Sequence, residues 1–567
     1  MSTKIEPRVP RGMRDILPEQ MTRRQYVMDV IRTVFEEFGF EPLQTPAVEL
    51  EETLKGKYGT EAERLVYSVT YGQGEERLSL RYDFTVPLCR VVSMYPDLPV
   101  PFKRYQIAPV WRADRPQKGR FREFYQCDVD TVGSSSMLGD AETVAVIYAI
   151  LNRLGFSRFK ININNRKLLS GIGQNAGVPG SLLRGLYQSI DKLARIGVEG
   201  VKQELLAVGL PDPIFEVIRK VARLYLQGKL SLDEIGARLR AEKLPDLRSG
   251  SGQVHPERSA NAPRQVLSAV FRTSESEAVL FPPEVADAVE PDLRAILAGV
   301  KPGQVEPDRL QETAGQLISG VTPALRRFFA PTTELIPEEV VSNLLTLIAV
   351  KGNNREVLVS LKEKLIGYPE AVEGITELEE MLRYLDLLGV PEEYTVINVS
   401  MVRGLEYYTG PVYETIIEEP NVGSVTGGGR YDKLMGLFTE RSLPATGTSI
   451  GIERVIVIME ELGMFPPAIG RSTTQVLVTA FNREMLNESI RAATRLRGAG
   501  LKVQVYFDPD PLREQIGYAV KKDIPALVIL GPDEAARGQL TIRNLRSKQQ
   551  ENLPWEEAIG LLKKWLG

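Results

Sequence analysis

Arginine and aspartate stand where strands normally carry apolar side chains. Lys103-Arg-Tyr-Gln-Ile-Ala-Pro-Val-Trp-Arg112 and Arg120-Phe-Arg-Glu-Phe-Tyr-Gln-Cys-Asp-Val-Asp130 both read as strands, facing each other across Ala113 to Gly119 as a long antiparallel hairpin. Side chains alternate along a strand, so Arg120, Arg122, Phe124, Gln126, Asp128 and Asp130 share one face. Phe121, Glu123, Tyr125, Cys127 and Val129 take the other. Charges in a sheet interior need a reason, and a polar working surface is one. An exposed face laced with salt bridges is another, and the hairpin alone leaves both open.

Three further segments have chemistry-bearing composition. Val402-Arg-Gly-Leu-Glu-Tyr-Tyr-Thr-Gly410 places an Arg-Gly turn before two tyrosines. Thr426-Gly-Gly-Gly-Arg-Tyr-Asp432 is a glycine run that lets something approach the backbone closely. It lacks the Gly-Lys-Ser/Thr ending of a phosphate loop. Gly447-Thr-Ser-Ile-Gly-Ile-Glu-Arg454 reads as strand, turn and helix, with Arg454 on the first turns of the helix. Taken singly, each has an ordinary packing explanation. A metal centre built on imidazole is excluded, because His255 is the only histidine and no Cys-x-x-Cys spacing occurs. Any metal must be held by oxygen ligands.

The elements that position these residues follow from periodicity. A chain of 567 residues has room for about three or four domains. Arg23 to Phe38 places Val27, Met28, Ile31, Val34, Phe35 and Phe38 at helical spacing, and Phe40 to Thr45 is extended. Arg77 to Arg81 and the hairpin read as strands. From about Asn165 to Pro369 the pattern turns helical, with Leu182, Leu183, Leu186, Ile190 and Leu193 on one face. Within it, residues 248–263 have the Gly/Ser/Pro content of a mobile loop, and the stretch to about Val340 shows no clean period. Thr376-x-x-Glu379 is a capping box predicted to open a helix striped by Leu378, Met381, Leu382, Leu385 and Leu388. Strands resume at Tyr394 to Val399 and Gly410 to Ile417, followed by a glycine-rich turn at Gly423 to Gly429. Gln475 to Gly567 repeats strand then helix, the mark of a compact α/β domain.

Composition excludes several classes. Seventy basic against 74 acidic side chains leave a net charge of −4, which says nothing for or against nucleic acid as a partner. No apolar run approaches the roughly 20 residues that cross a bilayer, so no membrane partner is expected. The first residues carry an acid and no apolar stretch, which predicts a cytoplasmic protein without a secretory signal. Cys89 and Cys127 could form one bridge at most and are expected to be reduced and buried.

Taken together, Gly12-Met-Arg-Asp-Ile-Leu-Pro-Glu19, the Pro46 region, the Arg112/Arg120 hairpin, Arg403-Gly-Leu-Glu-Tyr-Tyr408, Gly428-Gly-Arg-Tyr-Asp432 and Gly451-Ile-Glu-Arg454 resemble the histidyl-tRNA synthetases. The Arg-Gly-Leu-x-Tyr-Tyr segment belongs to the histidine enzymes, and Glu406 stands where their pattern has Asp. The hairpin and the Gly-x-Glu-Arg helix are shared by class II aminoacyl-tRNA synthetases generally. The resemblance implies an α/β chain with an α+β catalytic core, built on a six- to seven-stranded antiparallel sheet flanked by helices. It implies residues 1–165 as the first part of that core with class II motifs 1 and 2, 166–371 as a helical insertion, 372–470 as the second part with motif 3, and 472–567 as an anticodon-binding domain.

The same resemblance implies ATP-dependent formation of histidyl-adenylate, then transfer to the 3′ end of tRNA(His) by a cytoplasmic homodimer. Arg112 and Arg403 would hold the α-phosphate from opposite sides, with Arg120 also at ATP and Arg454 on the γ-phosphate. Arginine suits this work because its planar fork binds phosphate bidentately and stays charged. Mg²⁺ would be carried mainly by ATP oxygens, with no protein metal site and no tightly bound prosthetic group. Asp83, Thr85 and Gln126 are expected at the histidine ammonium, Asp130 at one imidazole nitrogen, and Tyr407 or Tyr408 at the other. Asp130 and the tyrosine pair argue against a class II enzyme for proline, threonine or glycine, whose substrates carry no imidazole. A non-charging paralogue that senses histidine or tRNA is the alternative from a different class. The arginines and the last domain, all present, argue against it.

Overall fold

The computed structural model describes residues 6–55, 64–71, 76–117, 119–178, 182–190, 192–208, 210, 212–242, 283–298, 320–327, 335–402, 407–420, 422–438, 443–467, 469 and 472–566. The loop expected at 248–263, His255, Arg403 and Glu406 lie outside them. Val34–Gly451 is one compact unit, and Met1–Thr33 with Ile452–Gly567 a second.

Helix α1 (Pro18–Glu37) comes first, with Val27, Ile31, Val34 and Phe35 fully buried as its spacing predicts. After it come β1 (Glu41–Pro42), β2 (Val48–Leu50), β3 (Ser68–Val69), β4 (Leu78–Leu80), α2 (Thr85–Met94), and the hairpin of β5 (Phe102–Trp111) and β6 (Glu123–Val132). Arg120 and Arg122 therefore precede β6 rather than sharing its face. Then come α3 (Met137–Arg153), β7 (Phe159–Asn165) and α4 (Arg166–Asn175). The Ser136 side chain caps α3 by accepting from the Leu138 N–H, and Asn165 caps α4 through the Lys167 N–H at 2.8 Å.

The segment expected as an insertion is helical, with α5 (Leu183–Ile190), α6 (Leu193–Ala207), α7 (Asp212–Leu226), α8 (Ile235–Ala241), α9 (Pro283–Ala298), α10 (Glu338–Ile348) and α11 (Asn354–Lys364), and α12 (Pro369–Leu387) runs on past its expected end. Ile218, Val221, Leu239, Val289, Leu293 and Leu325 belong to a core of the insertion's own. The expected capping box at Thr376 is not a helix start. Helix α12 begins at Pro369, a residue the first turn tolerates, and buries Ala371 and Ile375 ahead of the predicted stripe. Thr376 sits inside it, its hydroxyl donating to the Val372 carbonyl at 2.9 Å. A Cβ on Gly171 would stand 2.2 Å from that of Ala371, so α4 and α12 approach closely only because glycine is there.

Strands β8 (Thr395–Ile397), β9 (Pro411–Ile417), β10 (Ser424–Arg430) and β11 (Ala445–Gly451) complete an eight-stranded sheet ordered β1-β5-β6-β11-β10-β9-β7-β8. Its six central strands run antiparallel. The β1–β5 and β7–β8 edges are parallel. Both edge pairs join strands separated by helices, and such crossovers permit parallel pairing. Helix α3 lies against β6, β10 and β11, where Asp140 accepts from Thr446 at 2.8 Å and pairs with Arg430.

The expected glycine turn at 423–429 is mostly β10 itself. A Cβ on Gly428 would fall 2.3 Å from the Gly447 carbonyl and 2.6 Å from the Tyr413 ring, so this glycine serves close packing in the sheet. No turn separates β11 from α13 (Ile452–Glu461), which follows directly in the chain.

In the second unit, β12 (Val476–Val478), α14 (Leu486–Gly498), β13 (Val503–Val505), α15 (Leu512–Lys521), β14 (Ala526–Ile529), α16 (Pro532–Arg537), β15 (Gln539–Asn544), β16 (Gln550–Pro554) and α17 (Trp555–Leu566) build a sheet ordered β13-β12-β14-β15-β16. Strand β16 and helix α16 add to the predicted pattern. Val476, Val478 and Val528 are buried in one apolar cluster, Leu477 and Leu527 in another. Cys89 and Cys127 are buried, and neither is in a disulfide. Among the described residues no helix is long and apolar enough to cross a membrane.

Candidate active site

Cross-strand register assembles the site. Arg104 pairs with Asp130, Gln106 with Asp128 and Ala108 with Gln126 across the hairpin, and directly opposed residues share a face. On the other side of β6, Gly447, Ser449 and Gly451 face Asp130, Asp128 and Gln126. Beyond them Gly427 and Gly429 face Ser449 and Gly447.

Arg112 continues the ladder just past β5, its N–H donating to the Arg122 carbonyl at 2.9 Å. Its guanidinium lies 4.3 Å from the Tyr82 ring centroid and 5.2 Å from that of Phe124. It donates through Nε to the Tyr82 carbonyl at 3.1 Å and through Nη2 to Gln126 Oε1 at 3.3 Å. Gln126 Nε2 in turn donates to Ser449 Oγ at 2.5 Å.

Farther along β6 the face is acidic and dry. Asp128 and Asp130 are buried, and Arg104 is 0% exposed. Arg104 Nη2 meets Asp130 Oδ2 at 2.6 Å, and Tyr431 donates its hydroxyl to the other oxygen, Oδ1. Burial raises the Asp130 carboxyl despite Arg104 and the Tyr431 hydrogen bond. Burial likewise pushes Asp128 up to about 7, with repulsion from Asp130 and Asp83 added and the attraction of Arg104 and a Ser449 hydrogen bond opposing.

Asp83 and Thr85 sit at the start of α2, where Asp83 Oδ1 accepts from the Val86 N–H at 3.3 Å and Thr85 is the first helical residue. Arg104 reaches the carbonyl of Phe84 between them at 3.4 Å. Burial raises both the Tyr407 and Tyr408 phenols, with Thr85 opposing the rise at Tyr407 and Tyr407 opposing it at Tyr408. The Tyr407 ring stands 4.8 Å from that of Tyr408 and 5.8 Å from that of Tyr431. Contacts thus link Arg112, Gln126, Asp83, Thr85, Asp130, Tyr407 and Tyr408 into one locus.

Two further predicted residues lie on other segments. Arg120 pairs with Asp114 at 3.1 Å in the hairpin loop and is largely exposed. Arg454 belongs to the second unit, in the first turns of α13, where its neighbour Glu453 is bridged by Arg14 at 2.6 Å and Arg24 at 2.7 Å. The Gly-Met-Arg14 segment near the start of the chain thus braces the Gly-x-Glu-Arg helix.

Sequence reasoning gave no role to Arg104, Asp128, Tyr431 or Ser449. The hairpin register carried a signal for the first two, since pairing Arg112 with Arg122 sets Arg104 opposite Asp130. Tyr431 and Ser449 arrive from distant segments and had no such signal. The floor beside this locus is open. A Cβ on Gly427, mid-sheet yet exposed, would meet nothing within 4 Å, whereas one on Gly447 would stand 2.1 Å from Asp130 Oδ1. Among the described residues no three His, Cys, Asp or Glu side chains converge as a metal cluster.

Known proteins resemble this chain in sequence and fold. The family model described as Histidyl-tRNA synthetase matches residues 12–244 and 300–455, and the one described as Anticodon binding domain matches 475–565. The histidine–tRNA ligase of Gloeobacter violaceus is 34% identical over 97% of both chains. That of Aeropyrum pernix is 33% identical over 99% of this chain and 98% of its own. The crystal structure of histidyl-tRNA synthetase from Nostoc sp. PCC 7120 superposes with a TM-score of 0.68 at 26% identity, covering 99% of this chain and 100% of that one. With the matched segments spanning both the hairpin and the glycine-paved strands beside it, the chain belongs to the histidyl-tRNA synthetase family.

Proposed function

We propose that the chain activates L-histidine with ATP and transfers it to tRNA(His), with the chemistry centred on Arg112 and the buried face of β6. In the first step a histidine carboxylate oxygen attacks the α-phosphorus, the bond to pyrophosphate breaks, and histidyl-adenylate forms. Negative charge grows on the phosphoryl oxygens, and a fixed cation stabilises it most when its position is set beforehand. Arg112 meets that requirement, held between two rings and by two hydrogen bonds. In the second step the terminal ribose hydroxyl of the tRNA attacks the histidyl carbonyl and AMP leaves.

The observation that carries the reading is the juxtaposition of Arg112 and Gln126 with buried carboxylates farther along the same face. A cation suited to phosphate thus adjoins an acidic recess suited to a cationic amino acid. Asp83, Thr85 and Gln126 receive the ammonium in this reading, while Asp130, with Tyr407 or Tyr408, meets the imidazole. Both Asp130 oxygens are engaged by Arg104 and Tyr431. The imidazole N–H therefore shares an already oriented acceptor, which favours a ligand that fits its geometry. Family resemblance assigns Arg403 to the α-phosphate, Arg120 to ATP and Arg454 to the γ-phosphate. Mg²⁺ enters on the ATP oxygens, the domain at 475–565 takes the anticodon, and the working form is a cytoplasmic homodimer.

Pyrophosphate exchange with each of the twenty amino acids tests the reading. Exchange is expected with histidine alone, and comparable exchange with another amino acid would overturn it.

A further inference from the structure

Gln126 is held at both ends, and the donors available to its neighbours determine which way its amide points. Arginine has no acceptor, so the end of the amide facing Arg112 must be the oxygen. The NH₂ end then faces Ser449, whose oxygen accepts at 2.5 Å and whose own proton needs another acceptor. Asp128 lies directly opposite Ser449 across the strands and on the same face, so its carboxyl is the acceptor that face offers the hydroxyl. The chain of donation therefore runs Arg112 to Gln126 to Ser449 to Asp128. On the other side of Ser449, Gly427 leaves the space open.

We propose that Ser449, anchored by Asp128, is a positioning residue that fixes the amide polarity of Gln126, so that Oε1 is presented as an acceptor to the substrate ammonium. This rests on the assignment of Gln126 to that ammonium. A carboxamide oxygen has two lone pairs, so Oε1 can accept from Arg112 and from a substrate N–H together. Turned over, the amide sets its NH₂ against two donors, and nothing in the amide's own shape prevents the turn. Ser449 opposes it, because its proton is committed to Asp128 and only its oxygen is left for Gln126.

Histidine-dependent pyrophosphate exchange on the full chain tests this, with a thermal melt for each variant. Ser449→Ala is expected to raise the histidine KM about tenfold, the scale of leaving one partly buried polar group unsatisfied, with the ATP KM within about twofold of wild type. Ser449→Thr keeps the hydroxyl and is expected to recover most of the loss, a rescue that a merely structural role does not explain. An unchanged histidine KM in Ser449→Ala would overturn the proposal, as would a loss that Thr does not recover. Gln126→Ala distinguishes the two levels of argument. If it raises the histidine KM while Ser449→Ala does not, only the role of Ser449 fails; if it has no effect, the ammonium assignment and the proposal fail together.

Discussion

The two sheets of this chain treat their interiors in opposite ways. The five-stranded sheet buries Val476, Leu477, Val478, Leu527 and Val528, an apolar scaffold of the kind hydrophobic burial alone stabilises. The eight-stranded sheet buries Arg104, Gln106, Gln126, Asp128 and Asp130 on one face and leaves side chains off at Gly427, Gly429 and Gly447. Burying such charges costs free energy, and replacing a buried ion pair by apolar residues is often neutral or stabilising. On the proposed function the polar sheet carries its charges for chemistry, and the apolar one serves as framework. Each of the following outcomes would break or sharpen that contrast.

Arg112→Ala should show the largest effect. Single-turnover adenylate formation at saturating substrates is expected to fall on the order of 10²–10³, the scale of losing one preorganised electrostatic group, with little change in the melt. Arg112→Lys should recover only part, since an ammonium cannot reproduce the fork. Wild-type activation in either variant would remove Arg112 from the chemistry.

Leu527→Ala, in the apolar sheet, is expected to cost about 2–5 kcal/mol of stability through lost burial and a cavity. On gentle warming tRNA charging should fail before histidine activation does, read by following both activities against temperature. Simultaneous loss of the two would merge regions that the contrast separates.

The third outcome concerns the buried Asp128, whose neighbours include Arg104, Asp130, Asp83 and Ser449. Its carboxyl is raised from 3.8 to about 7 in the folded state, so the folded chain holds a proton that the unfolded chain has released. Stability from this group is complete below about pH 4 and declines as pH rises through about pH 7. Asp128→Asn keeps an acceptor for Ser449 and removes the ionisation. Its melting temperature relative to wild type is expected to climb by several degrees between about pH 4 and pH 8. A flat difference would show that the Asp128 carboxyl is not raised on folding.

The smallest change in stability is expected at Gly427. Its Cβ would meet open space, so Gly427→Ala should change stability by less than about 1 kcal/mol while raising the substrate KM. Gly447→Ala, with its Cβ against Asp130, should instead destabilise the fold. Similar behaviour of the two variants would deny that the floor is open at one glycine and filled at the other.

Legibility from sequence divides by distance along the chain. The hairpin, α1 and the alternating strands and helices after Gln475 follow from local period, because a helix or strand with one buried face shows that face in its own spacing. Helix starts and glycine segments were harder. The capping pattern at Thr376 is satisfied equally well inside a helix, and the run at Gly427 to Gly429 is a strand because Tyr413 and Gly447 press against it.

Residue types and local pairing determined by themselves that Arg112, Gln126, Asp128 and Asp130 are carried on one hairpin, and that the family motifs lie in one chain. Only the tertiary structure decided that Arg104 and Tyr431 engage Asp130 from either side, and that Ser449 receives the Gln126 amide. Tyr431 and Ser449 lie about three hundred positions from β6, and such contacts depend on sheet order, which local side-chain preference does not encode. The direction in which the Gln126 amide points has the same origin: it is imposed by a cation within its own hairpin and a hydroxyl that the sheet brings to its other end.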